Sequence, residues 1–271
     1  MFQFPNINPI AVDFGFIKIS WYALSYIAGI LSSWYLILKI IKIKKIKISD
    51  KIVSDLISNC MIGIILGGRL GYVIFYNPEY YFENLIEIFK IWNGGMSFHG
   101  GIIGVILAII YSSRTSKIPI KIFSDLISIV SPIGLFFGRI ANFINGELFG
   151  RVTSHHFGMI FPNGGKLPRH PSQLYEAFFE GLVLFFIMIF LMNKSNFFEK
   201  RGFLTASFVF FYGIFRFFIE YFREPDGHIG LIYFNLSMGQ ILSLPMIVSG
   251  CLLYTSPSPR DRQKCGMPSS G

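Results

Sequence analysis

Gly138–Arg151, reading GRIANFINGELFGR, gathers Arg139, Asn142, Asn145, Glu147 and Arg151 at the end of an apolar run. An ionisable side chain at membrane depth costs roughly 2.5–3.5 kcal/mol even on the lenient insertion scale. Such a cluster in so apolar a chain therefore points to a use. Arg139 and Asn142 are three residues apart and share one helix face. Asn145, Gly146, Glu147 and Gly150 then carry the chain out of the helix. A fixed cation beside amide donors, at the edge of a lipid-facing cavity, suits a phosphate headgroup.

Two further constellations lie in apolar segments. Tyr212, Arg216 and Glu220 recur every fourth residue, with Arg223 three further on. That polar stripe is untenable against lipid, so it must face a cavity or other helices. A self-neutralising Arg216–Glu220 pair is the plainer reading of it. His99 sits in NGGMSFHGGIIG among Gly94, Gly95, Gly100 and Gly101, and it is the only histidine within an expected span. Imidazole takes up a proton near neutral pH. A lone intramembrane histidine also serves as a packing donor. Arg69, in GGRLGY, is flanked by Gly67 and Gly71, a GxxxG pair that reads mainly as helix packing, with Asp125 a candidate partner. Tyr22 lies near the end of the first span, as an interfacial belt tyrosine would. His155, His156 and His228 fall in links and have no convincing metal spacing, and no metal is expected.

The elements that position these residues are helices crossing a bilayer. The chain is 52% hydrophobic and 17% aromatic, and only 14% charged, against about a quarter charged in ordinary soluble domains. A crossing needs about 20 helical residues. Seven segments qualify, near Ile17–Leu38, Val53–Tyr76, Met96–Ser112, Ile122–Ile144, Tyr175–Met192, Phe203–Phe222 and Leu236–Tyr254. The third is short, and Pro132 interrupts the fourth. The expected fold is an all-α polytopic membrane protein with seven transmembrane helices. The long link Asn145–Leu174 reads as a small extracytoplasmic head between spans four and five. The segment Tyr80–Trp92 reads as an interfacial amphipathic helix on the same side.

A net charge of +9 raises the question of nucleic acid, but the basic residues sit in links between apolar runs. Twelve of them, from Lys39–Lys51, Arg114–Lys121 and Lys194–Arg201, fall in one alternate set of links, and six in the other. The positive-inside rule then puts the N-terminus outside, the C-terminus in the cytoplasm and the Gly138–Arg151 cluster toward the outer leaflet. Cys60, Cys251 and Cys265 show neither metal nor disulfide spacing. Met1–Pro5 lacks the basic region of a cleavable signal peptide, so insertion through the chain's own spans is expected. After Tyr254 the composition changes abruptly, to TSPSPRDRQKCGMPSSG. This string resembles translated sequencing-adapter read-through more than a disordered tail. The expected division is a single transmembrane domain over 1–254 and a non-native or disordered tail over 255–271.

Four blocks in register carry a resemblance: GGMSFHGG, GRIANFINGELFGR, RHPSQLYEA at Arg169–Ala177 and YGIFRFFIEYFREPD at Tyr212–Asp226. Together they are similar to the signatures of bacterial prolipoprotein diacylglyceryl transferases, from about Ile17 to Gly250. The resemblance implies a reaction without a cofactor in the bacterial cytoplasmic (inner) membrane. Its partners are phosphatidylglycerol, membrane lipid and the lipobox cysteine of prolipoprotein signal peptides, with no nucleic acid. The diacylglyceryl group passes to the thiol and glycerol phosphate leaves. His99 matches the family's essential histidine and is the candidate base. Arg139 and Arg216 match its headgroup arginines, and Arg216 is the second candidate catalytic group. Glu220 would orient Arg216. Tyr212, Asn142, Tyr22 and Arg223 would complete the phosphatidylglycerol pocket. Gly150 matches a glycine beside the site, and Glu147 would bind glycerol hydroxyls or fix an arginine. A transporter would also bury Arg, Glu and His, but it usually shows internal repeats, and none is visible here. A structural or receptor-like protein has no need for these groups to converge.

Overall fold

The computed structural model describes residues 2–5, 7–15, 18–194, 201–225 and 235–255. The expectations for Ile17, Lys200, Asp226, His228 and 256–271 lie outside the described residues. The chain divides into two compact units, Met1–Ser33 with Asp125–Gly271, and Trp34–Ser124.

Helices dominate. Five of them are long and apolar enough to cross a membrane: α1 (Trp21–Ile43), α2 (Asp50–Phe75), α4 (Phe98–Ser116), α5 (Ile120–Ile144) and the continuous run Ser172–Lys194. The short α3 spans Pro78–Glu83. The Ser172–Lys194 run comprises α6 (Ser172–Glu176), a π-helical stretch at Ala177–Val183 and α7 (Leu184–Lys194). Two apolar helices are shorter, α8 (Phe203–Ile219) and α9 (Met238–Thr255). Pro132 does not interrupt α5, which runs through it. Prolines are tolerated in membrane helices where nearby groups re-satisfy the freed backbone.

In the Trp34–Ser124 unit, α2 packs on α4 through facing glycines. A Cβ on Gly71 would lie 2.8 Å from Gly100 Cα, and one on Gly67 would lie 3.0 Å from Gly104 Cα. The GxxxG pair therefore does bring two backbones together. Arg69 does more than pack. Only 3% exposed, it donates to the carbonyls of Ile88 at 2.9 Å, Glu87 at 2.5 Å, Lys90 and Gly95 at 3.2 Å, and also Gly94. These bonds explain why Tyr80–Trp92 is not one amphipathic helix. It breaks into α3 and two 3-10 turns, Leu85–Phe89 and Ile91–Asn93, and folds around the guanidinium. Phe82, Leu85, Ile86, Phe89 and Trp92 stay exposed.

Asp125 has partners within its own unit. There its buried carboxylate accepts from Gly202 N at 2.7 Å, and from Thr205 N and Oγ1 at 2.8 Å. It thereby caps the N-terminus of α8, where backbone donors lack helical partners.

The Asn145–Leu174 link forms a folded head. β1 (Phe2–Gln3) pairs in parallel with β4 (Met159–Ile160). Phe161 is fully buried, with ring centroids 5.3 Å from Phe4 and 5.4 Å from Phe149. The hairpin of β2 (Ile10–Asp13) and β3 (Lys18–Ser20) leads into α1, and Ser20 Oγ accepts from Ala23 N at 3.2 Å.

Candidate functional site

Three arginines meet one carboxylate oxygen. Glu176 closes α6 and is completely buried. Its Oε2 lies 2.8 Å from Arg139 Nη2, 2.9 Å from Arg216 Nη1 and 3.5 Å from Arg223 Nη1. Arg139 comes from the last turns of α5, Arg216 from the last turn of α8, and Arg223 from the segment just beyond α8. Glu180, also fully buried, lies one turn on, in the π-helical stretch. It is 3.8 Å from Arg139 and 3.6 Å from Arg216. Glu220 Oε2 is 2.8 Å from Arg216 Nη2, and its Oε1 accepts from Ser237 Oγ at 3.0 Å. Three guanidiniums thus face three carboxylates, which is how so many charges persist away from water. The self-neutralising Arg216–Glu220 pair is real, but it is one edge of this larger network.

Residue type and spacing did not single out Glu176 and Glu180. The signal was available, since two glutamates four residues apart in an otherwise apolar run meet the same test as Tyr212, Arg216 and Glu220. The π-helical pitch adds a second sign, because such stretches recur at functional sites.

The remaining candidates surround the network. Tyr212 is buried on α8, and its hydroxyl lies in the field of Glu180, Arg216 and Arg139. Asn142 is 7% exposed and donates to Glu147 Oε1 at 2.8 Å, and Asn145 donates to the same oxygen at 3.3 Å. Glu147 is therefore held by amides, and the described residues show no ion pair between it and an arginine. Tyr22 is partly exposed, with its hydroxyl 3.5 Å from that of Tyr26 and within electrostatic reach of Glu147 and Arg139.

The head is bolted to this network by backbone. Gly150 forms an isolated antiparallel bridge with Arg223, and its N–H donates to His170 O at 2.8 Å. A Cβ there would lie 2.8 Å from His170 O. Arg151 donates from its backbone to Phe222 O and from Nε to Arg223 O, each at 2.9 Å. Arg169 pairs with Glu224 at 2.6 Å and stacks 5.0 Å above Phe149. Burial, and then nearby His155, pull the His170 imidazole below the usual histidine range.

His99 belongs to the other unit. It is the second residue of α4 and exposed, edge-on to Phe98 with ring centroids 5.8 Å apart. Ser97 caps that helix by accepting from Gly100 N at 3.2 Å, and it donates from its own backbone to Gly68 O at 2.8 Å. His99 thus stands in the first turn of α4, near the start of the expected span. Among the described residues, no cluster of His, Cys, Asp and Glu could hold a metal ion.

Chemically, the network sets three planar cations against three carboxylates. Each guanidinium has five donors in a fixed planar fork that fits carboxylate and phosphate oxygens.

The chain is similar to proteins of one family. The profile of prolipoprotein diacylglyceryl transferase matches residues 9–256. A phosphatidylglycerol–prolipoprotein diacylglyceryl transferase of Rickettsia felis is 54% identical over 257 residues, spanning 95% of this chain and 99% of that protein. The protein of that name in Rickettsia akari is equally similar, at 54% over 257 residues. The one in Rickettsia bellii is 53% identical over 250 residues, 92% of this chain and 95% of its own length. This chain belongs to the prolipoprotein diacylglyceryl transferase family.

Proposed function

We propose that this protein transfers the diacylglyceryl group of phosphatidylglycerol to the lipobox cysteine of prolipoproteins, the first step of bacterial lipoprotein maturation. The thiol sulfur forms a bond to an sp³ carbon of the diacylglyceryl group. The bond from that carbon to the phosphate oxygen breaks, and its electron pair leaves with glycerol phosphate. The thiol proton passes to a base. The nucleophile comes from the substrate, so the enzyme needs no catalytic cysteine and no cofactor.

The observation that carries this reading is the convergence of Arg139, Arg216 and Arg223 on one buried oxygen. As the carbon–oxygen bond breaks, the phosphate gains charge, and planar donors already in place stabilise it without reorganising. Arg139 and Arg216 grip the phosphate, with Arg216 following the developing charge. Glu220 orients Arg216. Asn142, Glu147, Tyr22, Tyr212 and Arg223 complete the pocket, and Gly150 keeps the neighbouring backbones close. His99 takes the thiol proton, since only the thiolate is a strong nucleophile.

The two shorter apolar helices, α8 and α9, cross the bilayer with the five longer ones, giving seven spans in one enzyme domain over 1–254. The N-terminus and the Asn145–Leu174 head lie outside the cytoplasmic membrane, where a signal segment presents its cysteine. The tail over 255–271 takes no part. The test is transfer in detergent or liposomes, using the purified protein, phosphatidylglycerol and a lipobox peptide. Stoichiometric glycerol phosphate and alkylated peptide are expected, and absence of both would overturn the reading.

A further inference from the structure

We propose that Glu176 is a positioning residue for this reaction. Its buried carboxylate holds the guanidiniums of Arg139, Arg216 and Arg223 in the array that grips the phosphate. The inference rests on the transferase reading and deepens it.

Three like charges gathered from three parts of the chain repel one another unless an anion sits at their focus. Glu176 Oε2 is at that focus, 2.8, 2.9 and 3.5 Å from the three arginines. The other two glutamates do not fill this place. Glu220 pairs with Arg216 and is tethered by Ser237. Glu180 stands off at 3.6 and 3.8 Å, and neither of its oxygens has a hydrogen-bond partner among the described residues.

The backbone under Glu176 is itself fixed. One turn earlier, Gln173 Nε2 donates to Glu147 O at 2.5 Å, and Ser172 Oγ donates to Leu148 O at 3.0 Å. These bonds tie α6 to the chain leaving α5. Just after Glu176 the helix widens into its π-helical stretch. The carboxylate is thus set by the junction of α5 and α6, and through it the junction sets the arginines. An array fixed in advance favours the transition state, in which phosphate charge grows, over the ground state.

This separates the two kinetic constants. Without the carboxylate, the arginines spread apart, yet the site becomes more positive and still attracts a phosphodiester. Glu176→Gln is expected to lower kcat by about 100-fold per folded molecule while KM for phosphatidylglycerol stays within about threefold. Glu176→Asp keeps the charge and is expected to recover about tenfold over the Gln variant. Folded protein is counted by size-exclusion and thermal melting before each assay. A near wild-type kcat in Glu176→Gln, or a loss carried wholly by KM, would overturn the proposal. So would failure of both variants to fold, which would make the residue purely structural. Absence of transfer by the unaltered protein would instead remove the transferase reading.

Discussion

Gly150 and Arg223 pair across a single antiparallel bridge, so the head and the segment after α8 meet where one of the three arginines is set. A side chain at Gly150 has no room, because its Cβ would run into Phe222 O, next to Arg223, and lie 2.8 Å from His170 O. Gly150→Ala must push the two backbones apart, at about 1–3 kcal/mol by the usual cost of overpacking. Transfer is expected to fall by roughly 5- to 150-fold, because that energy acts on the Arg223 backbone. Near wild-type turnover would show that the bridge does not set the site.

His99→Gln is expected to abolish turnover while phosphatidylglycerol binding persists. Glutamine matches much of the imidazole's size and hydrogen bonding but cannot take the proton. Lipid binding and product formation are measured on the same purified variant. Transfer close to wild type would remove His99 from the role of base.

Lysine is expected to replace Arg139 or Arg216 poorly. It keeps the charge and loses the planar fork, and Arg216 uses two separate nitrogens for Glu176 and Glu220. Transfer should drop by about 100-fold or more in each variant, as for loss of a preorganised donor to developing charge. Retention of most activity would mean that point charge alone suffices.

Orientation is checked by labelling in intact cells. In a background lacking Cys60, Cys251 and Cys265, a cysteine at Asn163, exposed in the head, should react with an impermeant thiol reagent. One at Thr115, exposed in the last turn of α4, should not. The reverse pattern would put the head and its arginines on the cytoplasmic face.

Much of this site was legible in the residues themselves. Arg139, Arg216, Glu220 and Arg223 stand out because charge is costly in an apolar segment, and the structure brings all four together. Helical spacing alone gives the Arg216–Glu220 contact. Glu176 and Glu180 meet that same test of charge in an apolar run, but which arginines they join is not legible, because the contacts cross three elements and no local period reveals a partner 40 residues away. Arg69 shows the same limit. Its glycine neighbours announce helix packing, whereas its actual role, gathering five carbonyls, depends on how a distant loop folds back. Tyr80–Trp92 has the apolar content of an interfacial helix, but those carbonyls are drawn to the guanidinium and the regular helix gives way. Pro132 looks like a break and is not one, since membrane helices absorb a missing donor.

The central claim is that an alkyl carbon, and not an acyl carbon, is moved to a cysteine. The most direct measurement is mass spectrometry of a lipobox peptide after incubation with the purified protein and phosphatidylglycerol, before and after neutral hydroxylamine. The account predicts a diacylglyceryl mass on the cysteine whose sulfur–carbon bond survives hydroxylamine, as a thioether must. A peptide left unmodified, or an acyl mass that hydroxylamine removes as it does a thioester, would contradict it.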